Sequence, residues 1–142
     1  MARFVVLEKL ESLRRCLIRI ESKCPGSASE LSADIDLQDI ITLNLTRAVQ
    51  LCVDIGAHLV ATTDLPPPTT MGATFDKLEQ MGLVDSATAE RMKKAVGFRN
   101  LAVHGYEDID FAIVFSIITR QLDDFRVYAR QVSRWLDNQP EE

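Results

Sequence analysis

The stretch FAIVFSIITRQLDDFRVYARQVSRWL, residues 111–136, carries the strongest periodic pattern in the chain. Its apolar residues recur at alternating spacings of four and three, which is typical of one apolar stripe along an α-helix. The stripe consists of Phe111, Phe115, Ile118, Leu122, Phe125, Ala129, Val132 and Leu136. With Asp108 or Asp110 placed to cap its start, the pattern predicts one long helix over about residues 110–137.

Four further helices are predicted before that stretch. The same period indicates helices over about residues 3–22, 34–62 and 70–81, and one that starts with Ser86 as its N-cap and ends near residue 104. Proline and glycine lie in the breaks between them, where a helix cannot continue easily. The sequence has no alternating apolar pattern and no hairpin turn signal, so it predicts no sheet.

The helix predicted over residues 34–62 is apolar on more than one side. Leu37, Ile41, Asn44, Ala48, Leu51, Ile55 and His58 form one stripe, and Leu45, Ala48, Cys52, Ile55 and Leu59 form another. Such a helix needs a central place in a bundle or a second subunit to cover it. We therefore expect a single domain over residues 1–142, an all-α antiparallel bundle of about five helices.

Composition excludes several classes of protein. The net charge of −5 argues against a protein that coats nucleic acid through bulk electrostatics. The three cysteines contain no CxxC pair, and the N-terminus has no signal-peptide pattern, so reduced thiols and a cytoplasmic location are expected. The longest apolar run, residues 111–118, is too short to cross a bilayer, so no membrane span is expected.

Several familiar chemistries are also excluded by their missing motifs. The sequence has no Gly-rich phosphate loop, no nucleophile elbow and no Cys/His cluster with zinc spacing. With only two histidines, a His-rich metal site within one chain is impossible. Neither a metal ion nor a cofactor is therefore expected.

The stretch RNLAVHGY, residues 99–106, is the best candidate for a site of chemistry. Arg99 is a fixed cation, His104 exchanges protons near neutral pH, and Tyr106 adds a phenol, which together suit chemistry on a phosphodiester. The spacing places Arg99 and His104 on neighbouring faces near the helix end. Both can reach one ligand only if the last turn loosens, which Gly105 allows.

Basic charge is concentrated in the helix that carries this stretch. Residues 86–106 contain Arg91, Lys93, Lys94 and Arg99 against a single acidic residue. The first three are candidates for binding phosphate groups. On charge alone, a solvated helix face is the commoner explanation.

Asp54 and His58 lie one helical turn apart in the second predicted helix. They are candidates for a supporting role at the site. From spacing alone, the favoured interpretation is structural, with Asp54 orienting a histidine that has no chemical function.

The residues 99–106 resemble the R-x4-H-x-Y motif of the HEPN superfamily, and of its HepT toxins in particular. The Asn after the arginine, the Val before the histidine and the Tyr two residues after it make the match specific. Residues 54–58, Asp-Ile-Gly-Ala-His, resemble a stretch common in the same family. The order and length of the helices fit as well, so the resemblance extends over nearly the whole chain.

The resemblance implies a homodimer with a cleft between the two motif helices, and metal-independent cleavage of RNA, either tRNA or mRNA. It assigns proton transfer to His104 and the phosphate clamp to Arg99. Asn100 either orients the phosphate or His104, or merely forms a hydrogen bond at the helix end.

The resemblance also implies a regulated tyrosine. In HepT systems a small nucleotidyltransferase antitoxin, MntA, silences the toxin by transferring AMP onto the motif tyrosine, here Tyr106. Without the family, the favoured interpretation is that Tyr106 packs over the cleft and forms hydrogen bonds with its neighbours. The competing function is a non-catalytic helical module that binds a nucleotidyltransferase or a nucleotide, and the intact pair of Arg99 and His104 argues against it.

Overall fold

The computed structural model of the chain describes residues 2–140, which form α-helices joined by loops. The helices are α1 (Ala2–Lys23), α2 (Ala28–Ala33), α3 (Ile35–Val60), α4 (Met71–Gln80), α5 (Ser86–His104), α6 (Phe111–Arg120) and α7 (Leu122–Asp137), with a 3-10 turn at Tyr106–Asp108. No strand occurs within the described residues, and the all-α prediction is confirmed. Residues 2–140 form seven α-helices where five were expected, because the sequence pattern misses α2 and does not reveal that the last helix is divided.

Helix α2 is a six-residue segment whose start is capped by polar side chains. The Ser27 hydroxyl accepts from the amide of Glu30 at 3.2 Å, and the Glu30 carboxylate accepts from the amide of Gly26 at 2.9 Å. Asp34 follows and caps α3, because its carboxylate accepts from an amide of the first turn at 3.1 Å. A helix this short gives no periodic signal, since it buries only Leu31.

The prediction of one continuous helix over residues 110–137 is wrong. The chain leaves helical geometry at Gln121, where φ is −119° and ψ is 2°, so α6 and α7 are separate helices. Buried apolar residues continue across the break, at Ile118, Leu122 and Phe125. The hydrophobic period indicates which residues face the core. It does not indicate a bend in the helix when the residues on both sides of the bend still face the core. The break leaves α6 beside α2, while α7 packs against α1 and α5.

The start of α5 also differs from the prediction. Asp85 is the N-cap, because its carboxylate accepts from the amide of Thr88 at 2.7 Å, and Ser86 is already the first helical residue. The other carboxylate oxygen of Asp85 accepts from the Gln131 side chain of α7 at 3.1 Å. Two adjacent residues that both make good caps cannot be ranked from sequence. At α6 the cap is Asp110, one of the two predicted candidates.

Helix α3 is the central helix of the bundle. It packs against α1, α2, α4 and α5, and the Tyr128 hydroxyl of α7 donates to the carbonyl of Cys52 at 2.8 Å. As its two stripes predict, the buried residues lie on more than one side of the helix; they include Ile41, Leu45, Ala48, Cys52, Ile55 and Leu59. By length and composition alone α3 is long and apolar enough to cross a membrane, yet half of its most apolar window is buried inside the bundle, as in a core helix.

Contacts at both ends of α1 define its direction relative to α7. Arg3 near the start of α1 donates to the carbonyl of Leu136 near the end of α7 at 2.7 Å. Glu21 near the end of α1 pairs with Arg126 near the start of α7 at 2.6 Å. The two helices are therefore antiparallel.

A close helix crossing lies at Gly56 of α3. A Cβ atom at this position would lie 2.5 Å from the Thr74 methyl carbon, 3.1 Å from Leu78 Cδ1 and 3.3 Å from the Tyr128 hydroxyl oxygen. Helices α4 and α7 thus approach the backbone of α3 at a distance that only glycine permits without a shift.

Candidate active site

The residues 99–106 lie at the end of α5 and in the turn that follows. Helical geometry continues through His104, and Gly105 ends the helix with φ −145° and ψ 47°. The amide of Gly105 donates to the carbonyl of Leu101 at 2.7 Å, so the last turn is closed by an α-helical hydrogen bond. The sequence suggests that Gly105 could loosen this last turn, but in the structure the turn is intact.

An intact last turn separates Arg99 from His104 around the helix. Residues five apart on an α-helix point in directions that differ by about 140°. His104 is exposed, whereas Arg99 is half-buried. One subunit in this conformation does not bring the two side chains onto one small ligand.

The guanidinium of Arg99 forms a hydrogen bond with its neighbour and has no carboxylate partner within residues 2–140. Its Nη1 donates to the side-chain oxygen of Asn100 at 3.2 Å. Its Nε is buried and has no hydrogen-bond partner among the described residues. None of the ion pairs recorded within residues 2–140 involves Arg99. The site thus retains a fixed positive charge that can bind an anion.

Tyr106 contacts a residue that the sequence analysis missed. Its hydroxyl donates to Asp39 Oδ1 at 2.6 Å, and its ring packs edge-on against Phe111 with 6.4 Å between ring centroids. Burial raises the pKa of Tyr106, the Asp39 carboxylate raises it further, and the hydroxyl of Thr42 acts in the opposite direction. Asp39 lies 67 residues earlier in the chain, so no local pattern links it to the motif.

Large apolar side chains are exposed around the motif. Leu101 and Val103 are exposed in the last turns of α5, and Tyr106 itself is 39% exposed. Three more occur on the elements that pack nearby, at Ile35 and Leu43 of α3 and at Ile113 of α6. Exposed apolar surface beside a functional motif is typical of a protein–protein interface.

The three candidate phosphate-binding residues of α5 differ in their surroundings. Lys93 pairs with Asp76 at 3.0 Å and with Glu90 at 2.9 Å, so acidic neighbours neutralise its charge. Arg91 and Lys94 line a cleft of about 470 Å³. The cleft lies between α5 and the point where α6 ends and α7 begins, and Arg120 of α6 also lines it. Arg91 also lies 3.8 Å from a carboxylate oxygen of Asp124 in the same cleft.

Asp54 and His58 are not paired in the structure. The Asp54 carboxylate accepts from the Gln50 side chain at 2.9 Å and lies 3.9 Å from Lys9 Nζ, whereas His58 is exposed. Along α3, Asp54 lies about 22 Å from Asp39, the residue that contacts Tyr106. Within one subunit the two residues are therefore remote from the motif.

The described residues contain no obvious metal site. Within residues 2–140, no group of three or more His, Cys, Asp or Glu side chains is placed to hold a metal ion.

The sequence matches a family described as ribonuclease HepT-like over residues 13–132. A protein named mRNA nuclease HepT, from Shewanella oneidensis, is 32% identical over 124 residues, which cover 87% of this chain and 92% of that protein. A protein named tRNA nuclease HepT, from Aphanizomenon flos-aquae, is 29% identical over 106 residues, which cover 74% of this chain and 72% of that protein.

The fold is similar to that of a solved toxin. The structure of the tri-AMPylated Shewanella oneidensis HEPN toxin in complex with MNT antitoxin superposes with a TM-score of 0.85 and 31% identity. The match covers 92% of this chain and 97% of that one. The helices of this chain are thus arranged as in that toxin.

Proposed function

The chain belongs to the HepT-like ribonuclease family, and we propose that it is the ribonuclease toxin of a toxin–antitoxin pair. It cleaves RNA in the cytoplasm without a metal ion. An antitoxin of the MntA nucleotidyltransferase type neutralises it by transferring AMP onto Tyr106. The relatives named as nucleases and the AMPylated toxin bound to its antitoxin support this proposal.

The observation that carries the proposal is the state of Arg99 and His104. Arg99 keeps its charge without a carboxylate partner among the described residues, and its Nε has no hydrogen-bond partner there. His104, five residues later at the end of the same helix, is exposed, so a substrate can reach it. A module that only binds a partner has no need of both an unneutralised arginine and an exposed histidine in the last turns of one helix.

These groups match the chemistry of RNA cleavage without a metal. The reaction needs a base for the ribose 2′-hydroxyl, a cation for the charge on the phosphorane and an acid for the leaving 5′-oxygen. His104 transfers protons, and Arg99 clamps the phosphate because its planar fork donates two parallel hydrogen bonds. Asn100 accepts a hydrogen bond from Arg99 and so orients the guanidinium.

A homodimer supplies what one subunit lacks. One copy of the motif has a single histidine, and two copies provide both an acid and a base. Leu101 and Val103, exposed in the last turns of α5, provide the apolar surface that a subunit interface buries. Arg91 and Lys94 then extend the positive surface along α5 for RNA phosphates.

AMP on Tyr106 interferes with this site through charge and bulk. The added phosphodiester is negative and competes with RNA phosphate for Arg99. It also displaces the hydrogen bond between the phenol and Asp39, because the oxygen that carries the proton becomes the phosphoester oxygen.

The test is RNA cleavage by antitoxin-free protein in the presence of EDTA. We offer mRNA and tRNA separately and compare the parent with Arg99→Ala and His104→Ala. Each variant is expected to lose at least about 100-fold in rate, the typical contribution of one proton-transfer or phosphate-stabilising group. Arg130→Ala is the matched control, because Arg130 is an exposed arginine on α7 outside the motif.

Equal rates in the parent and in both motif variants would overturn the catalytic assignment. That outcome would favour the non-catalytic module that binds a nucleotidyltransferase or a nucleotide. Cleavage that EDTA abolishes would overturn the metal-independent mechanism instead.

A further inference from the structure

Asp39 and Tyr106 form a contact that the fold does not need for its core. Both side chains lie at the surface, and the hydrogen bond of 2.6 Å joins the first half of α3 to the turn after α5. The core near this point is already built by buried residues of α3 such as Ile41 and Leu45. A short contact between an exposed carboxylate and an exposed phenol suggests chemistry at the phenol oxygen.

We propose that Asp39 is the base that accepts the phenolic proton of Tyr106 when AMP is transferred onto it. This inference rests on the proposed function, since it requires that Tyr106 is the site of modification. It places the base on the toxin, within the protein that is modified.

The phenol needs such a base. A tyrosine with its ordinary pKa of about 10 is ionised in roughly one molecule in a thousand at pH 7. Here burial raises the pKa of Tyr106 above that value, so still fewer molecules carry the nucleophilic phenolate. Attack by a protonated phenol on phosphorus is slow unless a positioned group takes the proton as the new bond forms.

The geometry meets the requirements for proton transfer. The two oxygens are already at hydrogen-bond distance, so no movement of either side chain is needed. Thr42 lies one helical turn after Asp39, and its buried hydroxyl has no hydrogen-bond partner among the described residues. That hydroxyl lowers the pKa of Tyr106, as a donor to the developing phenolate does.

The step balances with ATP as co-reactant. The proton of Tyr106 passes to Asp39 Oδ1 while the phenol oxygen attacks the α-phosphorus of ATP. The bond between that oxygen and phosphorus forms, and the bond from the α-phosphorus to the oxygen that bridges to the β-phosphorus breaks. Pyrophosphate leaves with the electron pair, and the proton on Asp39 is released to water.

The test measures AMP transfer from ATP to the toxin by the cognate antitoxin. The antitoxin is in molar excess over the toxin, and its concentration is varied. Mass spectrometry of the peptide that contains Tyr106 gives the initial rate. With Asp39→Asn, which keeps an acceptor oxygen but is not basic, the maximal rate should fall by about 100-fold or more. The antitoxin concentration that gives half of the maximal rate should stay unchanged.

Two further variants separate basicity from charge and from structure. Asp36→Asn removes the same charge one helical turn earlier on α3, at an exposed position, and should be modified at the parental rate. Asp39→Glu restores a carboxylate and should recover part of the loss. Thermal unfolding of each variant checks that the bundle is intact.

The outcomes are distinct. Asp39→Asn modified at the parental rate would show that Asp39 is not the base, while the proposed function would stand. An equal loss of rate in Asp36→Asn would show that the effect comes from net charge. An equal loss of rate in Asp39→Glu, with a lowered melting temperature, would show that the contact has only a structural role. A parent that accepts no AMP on Tyr106 would overturn the proposed modification itself.

Discussion

The Tyr106 hydroxyl donates a 2.6 Å hydrogen bond to the carboxylate of Asp39, across 67 residues of sequence. This contact fixes the turn after the motif helix against the start of the central helix α3. It also leaves the ring at the surface, with 39% of Tyr106 exposed. Tyr106 is thus oriented by the fold and accessible from solvent at the same time.

The first prediction concerns Tyr106→Phe. This variant should accept no AMP from the antitoxin and should remain an active ribonuclease in its presence, because it lacks the oxygen that becomes the phosphoester. Intact mass and RNA cleavage after incubation with antitoxin and ATP measure both effects. Tyr128→Phe is the matched control, since Tyr128 is the other tyrosine and its hydroxyl is buried against Cys52. A Tyr106→Phe protein that is still modified and silenced would refute the assignment.

The second prediction concerns the exposed apolar surface at the end of α5. If Leu101 and Val103 lie in a subunit interface, Val103→Glu places a charge where water is excluded, at a cost of several kcal/mol. The variant should be monomeric by light scattering and should lose RNA cleavage. Ile18→Glu is the control, because Ile18 is equally exposed on α1 and outside the motif. A Val103→Glu protein that remains dimeric would place the interface elsewhere.

The helices could be predicted from the sequence because burial repeats along them. The pattern predicts a helix over residues 3–22 where α1 spans Ala2–Lys23, and one over 70–81 where α4 spans Met71–Gln80. A break such as the one at Gln121 leaves no trace in that pattern, because it has neither proline nor glycine and the flanking residues stay buried.

Only the part of the candidate site that is local in sequence could be proposed from the sequence. Arg99, His104 and Tyr106 occur within eight residues, so their spacing alone indicates a shared site. Asp39 contacts Tyr106 only through the tertiary structure, which sequence spacing does not indicate. Conversely, the helical spacing of Asp54 and His58 allows a pair that does not form, because Gln50 and Lys9 contact the carboxylate instead.

The third prediction tests the N-cap of α5. Asp85→Ala should lower the free energy of unfolding at pH 7 by about 1 kcal/mol, as loss of a cap does, whereas Ser86→Ala should change it by less than about 0.5 kcal/mol. Chemical denaturation of the two variants and the parent measures both. A larger loss in Ser86→Ala would restore the serine as the cap.

The same cap has a pH dependence of defined sign. The hydrogen bond from the backbone amide of Thr88 holds the pKa of Asp85 below its ordinary range. A carboxylate with a depressed pKa in the folded state stabilises the protein fully above the unfolded pKa, about 3.9, and loses this contribution as pH falls through the folded pKa. The difference in stability between the parent and Asp85→Ala should therefore shrink on acidification from pH 5 toward that range. A difference that stays constant or grows would contradict the capping role of the ionised form.

The fourth prediction concerns the crossing at Gly56. A methyl group there would lie 2.5 Å from the Thr74 methyl carbon, so side chains of α4 would have to shift to admit it, and the Tyr128 hydroxyl of α7, 3.3 Å away, would have to move by a few tenths of an ångström. Gly56→Ala should therefore destabilise the protein by about 1–3 kcal/mol, even though alanine is the better helix former. Gly97→Ala is the matched control on α5, because a Cβ atom there meets nothing within 4 Å, and it should stabilise by about 0.5–1 kcal/mol. Opposite signs for these two identical substitutions would locate the effect in packing, whereas two stabilising changes would mean that α3, α4 and α7 are not packed this closely.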